Sequence, residues 1–156
     1  MFPFSVRRQL SFDVPEPETL APKLMAVLER ELESRKAAKM CVSGNLLRFR
    51  GGPFRLVSSV NLLVPVTRGE VSITCQRSAL LIEYRLWFTQ LLVISALGAG
   101  FLGGGPWLAH SVSAGKAVGL GLFAFAWLAG GNLLLVLPRF RGFIKACVRK
   151  SLRDGQ

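Results

Sequence analysis

Between Glu83 and Asp154 the sequence contains no acidic residue. Carboxylates are among the costliest groups to place in hydrocarbon, so so long a stretch without one points to a bilayer. Histidine is almost missing as well, with His110 the sole example. The commonest general base and zinc ligand is therefore withheld from nearly the whole chain, which argues against Ser-His-Asp or Cys-His catalysis. Cys41, Cys75 and Cys147 are far apart, with no CxxC and no companion histidine. Neither a disulfide scaffold nor a zinc site is expected, and isolated thiols serve as small hydrophobes. No metal, cofactor or catalytic residue is assigned. The opening MFPFSVRRQL lacks the apolar run of a secretory signal, so no cleavage is expected.

The sequence combines 51% hydrophobic residues with a formal net charge of +11. The two properties are segregated along the chain. Residues 1–85 carry thirteen basic and eight acidic residues, Leu86 to Leu137 carry only Lys116, and six basic residues with Asp154 follow. This divides the chain into a cytosolic domain over 1–85, a transmembrane hairpin over 86–137 and a basic amphipathic juxtamembrane tail over 138–156.

Within the hairpin, Leu86–Ala109 and Ala117–Leu137 are free of charge, and about 20 apolar residues span the hydrocarbon core as a helix. Trp87 and Trp107 are separated by roughly 30 Å of helix, which places an indole at each interface. The short connection His110–Lys116 predicts antiparallel spans. Arg68, Arg77 and Arg85 precede the first span and the basic tail follows the second, so the positive-inside rule puts both termini in the cytoplasm.

The segment Gly98–Gly103 reads GAGFLG, the spacing of a dinucleotide-binding turn. That fingerprint needs a preceding buried strand and an acid about 20 residues later. Here the flanks are continuous apolar sequence and no acid follows. The glycines fit helix packing instead, because small residues four apart let membrane helices approach closely. Such pairs are Ala96 with Gly100, Gly100 with Gly104, Gly115 with Gly119, and Ala126 with Gly130. Asn132, the one strong polar group deep in the second span, is expected to hydrogen-bond across helices. The run Gly103-Gly104-Gly105-Pro106 is expected to end or break the first helix.

The first 85 residues predict an α+β domain. Phe4, Val6, Leu10, Phe12 and Val14 alternate as a half-buried strand. Leu20, Leu24, Val27 and Leu28 then form a helical stripe, with Thr19 as N-cap and Pro22 in the first turn. Strand-like pieces follow over 40–42, 46–50, 54–60, 62–66, 71–75 and 79–86, with turns at Gly44-Asn45, Gly51-Gly52-Pro53 and Arg68-Gly69. A mostly antiparallel sheet with one helix packed on it is the expected result. No Gly, Pro or Ser linker separates the last strand from the first span, so the domain is expected either to stand against the bilayer in a fixed pose or to hang on a short tether.

In the tail, Phe140, Phe143, Ile144, Cys147, Val148 and Leu152 repeat at helical spacing. Arg139, Arg141, Lys145, Arg149, Lys150 and Arg153 lie mostly between them. A basic amphipathic helix beside a span is expected to lie in the interface and meet anionic lipid headgroups rather than nucleic acid. Arg48, Arg50 and Arg55 flank the Gly-Gly-Pro turn and form a second candidate anion contact. The expected function is a membrane-anchored interaction or scaffold module, such as an accessory subunit of a larger membrane complex. It would assemble with copies of itself or with a partner membrane protein through small-residue faces. A homo-oligomeric pore and a lipid-acting membrane enzyme are the competing classes.

Overall fold

The computed structural model describes residues 4–51, 63 and 65–153. Strand β1 (Ser5–Asp13) leads into helix α1 (Pro17–Ser34), followed by β2 (Ala38–Ser43), β3 (Leu46–Arg50), β4 (Arg68–Gln76) and β5 (Ala79–Trp87). The strands form one sheet in the order β1-β5-β4-β3-β2, with every neighbouring pair antiparallel. The fold is thus mixed α+β. The expected strand over 54–60 lies outside the described residues, as do 62 and 64, and the described residues of the expected strand over 62–66, Leu63, Pro65 and Val66, are not in a strand.

Local chemistry accounts for several departures from the sequence reading. Helix α1 begins at Pro17 rather than after Thr19. Proline is preorganised for the first helical position, and the Thr19 hydroxyl donates back to the Glu16 carbonyl at 3.1 Å. Pro22 consequently lies inside the helix, beyond its first turn. Arg68-Gly69 is not a turn but the start of β4. Gly69 faces Phe49 across the β3–β4 ladder, and a Cβ at that glycine would lie 2.1 Å from the Phe49 ring. The glycine thus makes room for a core aromatic. The Gly44-Asn45 turn does form, with Gly44 at a φ of 55° in the left-handed region that glycine adopts freely.

Helix α2 (Thr89–Leu108) starts after a single intervening residue, Phe88. It runs through the glycine-proline segment instead of breaking there. Pro106 forfeits its own N–H bond to the preceding turn, yet the helix continues through it and ends two residues later. The turn is completed by His110 in a left-handed conformation, with Ser111 donating from both backbone and hydroxyl to the Pro106 carbonyl. Helix α3 (Ala114–Phe125), a π-helical turn (Ala126–Gly130) and helix α4 (Gly131–Arg153) then form one 40-residue helix. Two helices, α2 and this long one, are long and apolar enough to cross a membrane.

The core places α4 where the sequence did not. Leu24, Leu28 and Leu32 of α1, Leu47, Ile73 and Ile82 of the sheet, and Phe140 and Ile144 of α4 are all almost fully inaccessible and belong to one cluster. The sheet therefore carries two helices on its inner face, not one. Its outer face is polar and carries the ion pairs of Arg7 with Glu83 and of Glu70 with Arg48 and Arg68.

Candidate functional site

Helices α2 and α3 run antiparallel, as their close contacts show. A Cβ on Gly103 would lie 2.7 Å from the Ala117 carbonyl and 3.2 Å from the Gly121 backbone, while Gly98 lies beside Leu128. Ser95, Ala99 and Gly103 on α2 and Ala117 and Ala124 on α3 are buried by this contact. Backbones approach this closely only when side chains are absent or small.

The small residues singled out from sequence occupy a different position. Ala96, Gly100 and Gly104 line an apolar groove of about 580 Å³ beside the helix contact, opposite Val118, Leu122 and Phe125. Gly100 and Gly104 have nothing within 4 Å of an added Cβ. Gly115, Gly119 and Gly130 are equally open, and Ala126 is exposed at the start of the π-helical turn. The register that joins the hairpin, Ala99-xxx-Gly103 against Ala117-xxx-Gly121, was missed. Its signal is present in the sequence, but the glycines are so dense that several registers satisfy the same pattern.

Asn132 does not reach another helix. Its side-chain amide donates to the Leu128 carbonyl of its own helix at 2.6 Å. The π-helical turn just before it offsets the ordinary backbone pairing, and the side chain supplies a donor there.

At the foot of the helices the junction is clamped. The Phe88 N–H donates to the Phe4 carbonyl and the Thr67 N–H to the Trp87 carbonyl. The Gln90 N–H donates to the Thr67 hydroxyl at 2.9 Å. No side chain at the helix's own N-cap does this, so Thr67 caps α2 from outside. Arg68 and Arg85 both lie over the Trp87 ring, at 5.1 and 4.9 Å from its centroid. Phe88 is fully buried and meets Phe4 edge-on.

The basic residues have several fates. Lys150 donates to Glu31 of α1 at 2.9 Å, which, with Arg35 on the same carboxylate, holds Glu31 below its ordinary pKa. Arg139, Arg141, Lys145, Arg149 and Arg153 are exposed along α4. The apolar face between them, expected to lie in lipid, is instead buried against α1 and the sheet except at Leu152, which is exposed. Arg48 pairs with Glu70 at 3.1 Å, Arg50 is exposed at the end of β3, and Arg55 lies outside the described residues. Glu83 is held below its ordinary pKa by its hydrogen bond from Arg7. Burial pushes the Cys147 thiol up to about 12. Among the described residues no group of three or more His, Cys, Asp or Glu side chains is placed to hold a metal ion. Gly98 to Gly103 lie entirely within α2, where no phosphate-cradling turn exists.

Comparison with known families, curated proteins and solved structures finds no match to this chain.

Proposed function

We propose that this protein is a membrane-anchored interaction module in which α2 and the apolar first part of the long helix, through Leu137, span the bilayer as a hairpin and receive a transmembrane helix of another chain in their groove. The observation that carries the reading is the division of labour among the small residues. Ala99, Gly103 and Gly121 close the hairpin at the base of the groove, whereas an added Cβ at Gly100 or Gly104, in the same groove, would meet nothing within 4 Å. An open small-residue face beside a completed helix pair suits a third helix.

Exposure supports the membrane placement. Only 17% of either apolar window is buried within the chain, and Leu97, Phe101, Leu122, Phe123 and Trp127 are among the exposed large side chains. A core helix of a water-soluble protein would be mostly covered. The basic residues on the domain side of both helices favour a cytoplasmic position for both termini. The groove is lined almost wholly by apolar atoms, which suits a helix better than an ion path.

Two measurements test the reading. Resistance to alkaline carbonate extraction is expected of an integral protein, and release of the chain would refute the hairpin's insertion. Native mass spectrometry after mild extraction should show a discrete homo-oligomer or a complex with another membrane protein. A lone 17.1 kDa chain under every mild extraction condition would refute the scaffold.

A further inference from the structure

A second cavity, of about 450 Å³, lies where the sheet meets the first apolar helix, lined by Lys39, Arg50, Arg68, Trp87, Thr89 and Gln90 among others. Three strands deliver its three cations. Arg50 and Arg68 stand directly opposite one another in the β3–β4 ladder, an arrangement that destabilises a sheet when the charges are alike. Arg68 is partly offset by Glu70 at 2.6 Å, a carboxylate that Arg48 also shares. Among the described residues, Lys39 and Arg50 have no acidic partner.

Lys39 adds a backbone peculiarity. The β2–β3 register shifts between Ala38 and Cys41, and Lys39 sits within that irregularity at a φ of 48°. A left-handed lysine is uncommon, and bulges redirect side chains. Here the affected residue lines the cavity. Two cations without an acidic partner among the described residues, Lys39 and Arg50, and a left-handed backbone at Lys39 thus converge on one space.

The surroundings specify what would relieve them. Trp87 walls the cavity and Thr89 and Gln90, the first turn of α2, form its far side. A helix N-terminus adds positive potential to that of the three side chains. On the membrane reading, on which this inference rests, Trp87 and Thr89 stand at the level of the headgroups. We infer that the cavity binds the phosphate of an anionic phospholipid of the cytoplasmic leaflet, with Lys39 and Arg50 as its principal contacts and the acyl chains lying along α2. Of the arginines proposed from sequence as anion contacts, Arg50 lines this cavity and Arg48 does not, while Arg55 lies outside the described residues.

The test uses the full chain in phosphatidylcholine nanodiscs doped with phosphatidylglycerol, released and weighed by native mass spectrometry. The unaltered protein should retain one phosphatidylglycerol in preference to phosphatidylcholine. Combined Lys39→Ala and Arg50→Gln should weaken that retention roughly tenfold or more, given the usual worth of a basic residue at an anionic surface. Combined Lys23→Ala and Arg30→Gln removes the same charge from the exposed face of α1 and should leave retention within about twofold. Equal weakening by both pairs, or no preference in the unaltered chain, would overturn the site. Displacement of the lipid by millimolar inorganic phosphate would overturn its assignment to a lipid. Circular dichroism checks that the variants fold, and Arg50→Gln alone should melt no lower than the parent because it removes a like-charge pair. Carbonate extraction separates the two failures: an integral protein without lipid preference refutes only the cavity, whereas a released chain refutes the membrane reading and this inference with it.

Discussion

The ring of Phe140 lies 5.1 Å from that of Tyr84, and the two residues belong to the elements through which the domain and the apolar helices are joined. Tyr84 is on β5, which passes into α2 after one residue, and Phe140 is on the helix that continues from α3. Phe140 also stacks on Phe49 at 6.4 Å and meets Phe143 at 5.6 Å. The hairpin is therefore held to the domain at both of its feet. Phe140→Ala should cost about 3–5 kcal/mol, as expected for a fully buried phenylalanine. Chemical denaturation in detergent should show that loss, and α4 should become the most protease-sensitive helix of the domain. Unchanged stability would mean that the tail is not docked as described.

The two glycine registers should respond oppositely to enlargement. Gly103→Leu drives a side chain into the Ala117 carbonyl, which even a Cβ would approach at 2.7 Å, so the hairpin must splay. Gly100→Leu meets open space and replaces glycine by a stronger helix former, so the chain itself should fold as well as before. On the proposed reading, filling the groove should nevertheless abolish association with a second chain. Native mass spectrometry and cysteine crosslinking across the hairpin separate the outcomes. If Gly100→Leu leaves every complex intact, the groove is not the contact.

The contrast also shows what sequence periodicity conveys. The stripe Phe140, Phe143, Ile144, Cys147 and Val148 was legible as an apolar helix face, yet its partner was not. Lipid and a protein core satisfy the same stripe, and here α1 and the sheet cover it. The five strands that fall on described residues were readable from alternation and turns, because one face of the sheet is buried and the other is ion-paired. Lys39 had no comparable signal, since its position depends on a register shift in β2 that the residues around it do not announce. The glycine contact was hidden by abundance: Ala99 with Gly103 and Ala117 with Gly121 satisfy the same small-residue spacing as the four pairs read from sequence, and only packing distinguishes them.

Acid should loosen the tail from α1. The Glu31 carboxyl is held below its ordinary value of 4.5, chiefly by the hydrogen bond from Lys150. A carboxyl with a lowered folded pKa contributes stability that is fully present above the unfolded value and disappears as pH falls through the folded one. The contribution should therefore be complete above about pH 5 and decline below about 4.5. Both partners are partly exposed, at 26% and 45%, so the effect should be small and salt-sensitive. Hydrogen exchange of the last turns of α4 between pH 3 and 6 checks it, and Glu31→Gln should remove much of the dependence. Acid-independent exchange in the parent would contradict the pairing.

Thiol chemistry reports on the same docking. Cys41 is exposed and Cys147 is buried, with its thiol pushed up to about 12 by desolvation. At pH 8 only about one part in ten thousand of Cys147 would be thiolate, and the thiolate is the reactive form. Maleimide should label Cys41 rapidly and Cys147 only after denaturation. Phe140→Ala should accelerate labelling at Cys147 without changing Cys41. Equal labelling of both cysteines in the native protein would place α4 away from the domain.

The last expectation concerns the foot of α2, where Thr67 does the work of an N-cap from another segment. The first N–H groups of a helix have no partner within it, and Phe88 offers no side-chain acceptor at the N-cap. Thr67 accepts from Gln90 through its hydroxyl while its own N–H donates to Trp87. One residue thus ties together the end of β5, the start of α2 and the approach to β4. Thr67→Val retains the shape and deletes the acceptor, which should cost about 0.5–2 kcal/mol. Thr67→Ser should restore most of that loss. Hydrogen exchange should quicken first at Gln90, while amides in the middle of β4 and β5 remain protected. If the Gln90 amide exchanges equally fast in the parent and in Thr67→Val, the strand-to-helix junction is not clamped. The domain would then hang from the first span on a hinge, and only the Phe140 contact would fix its pose.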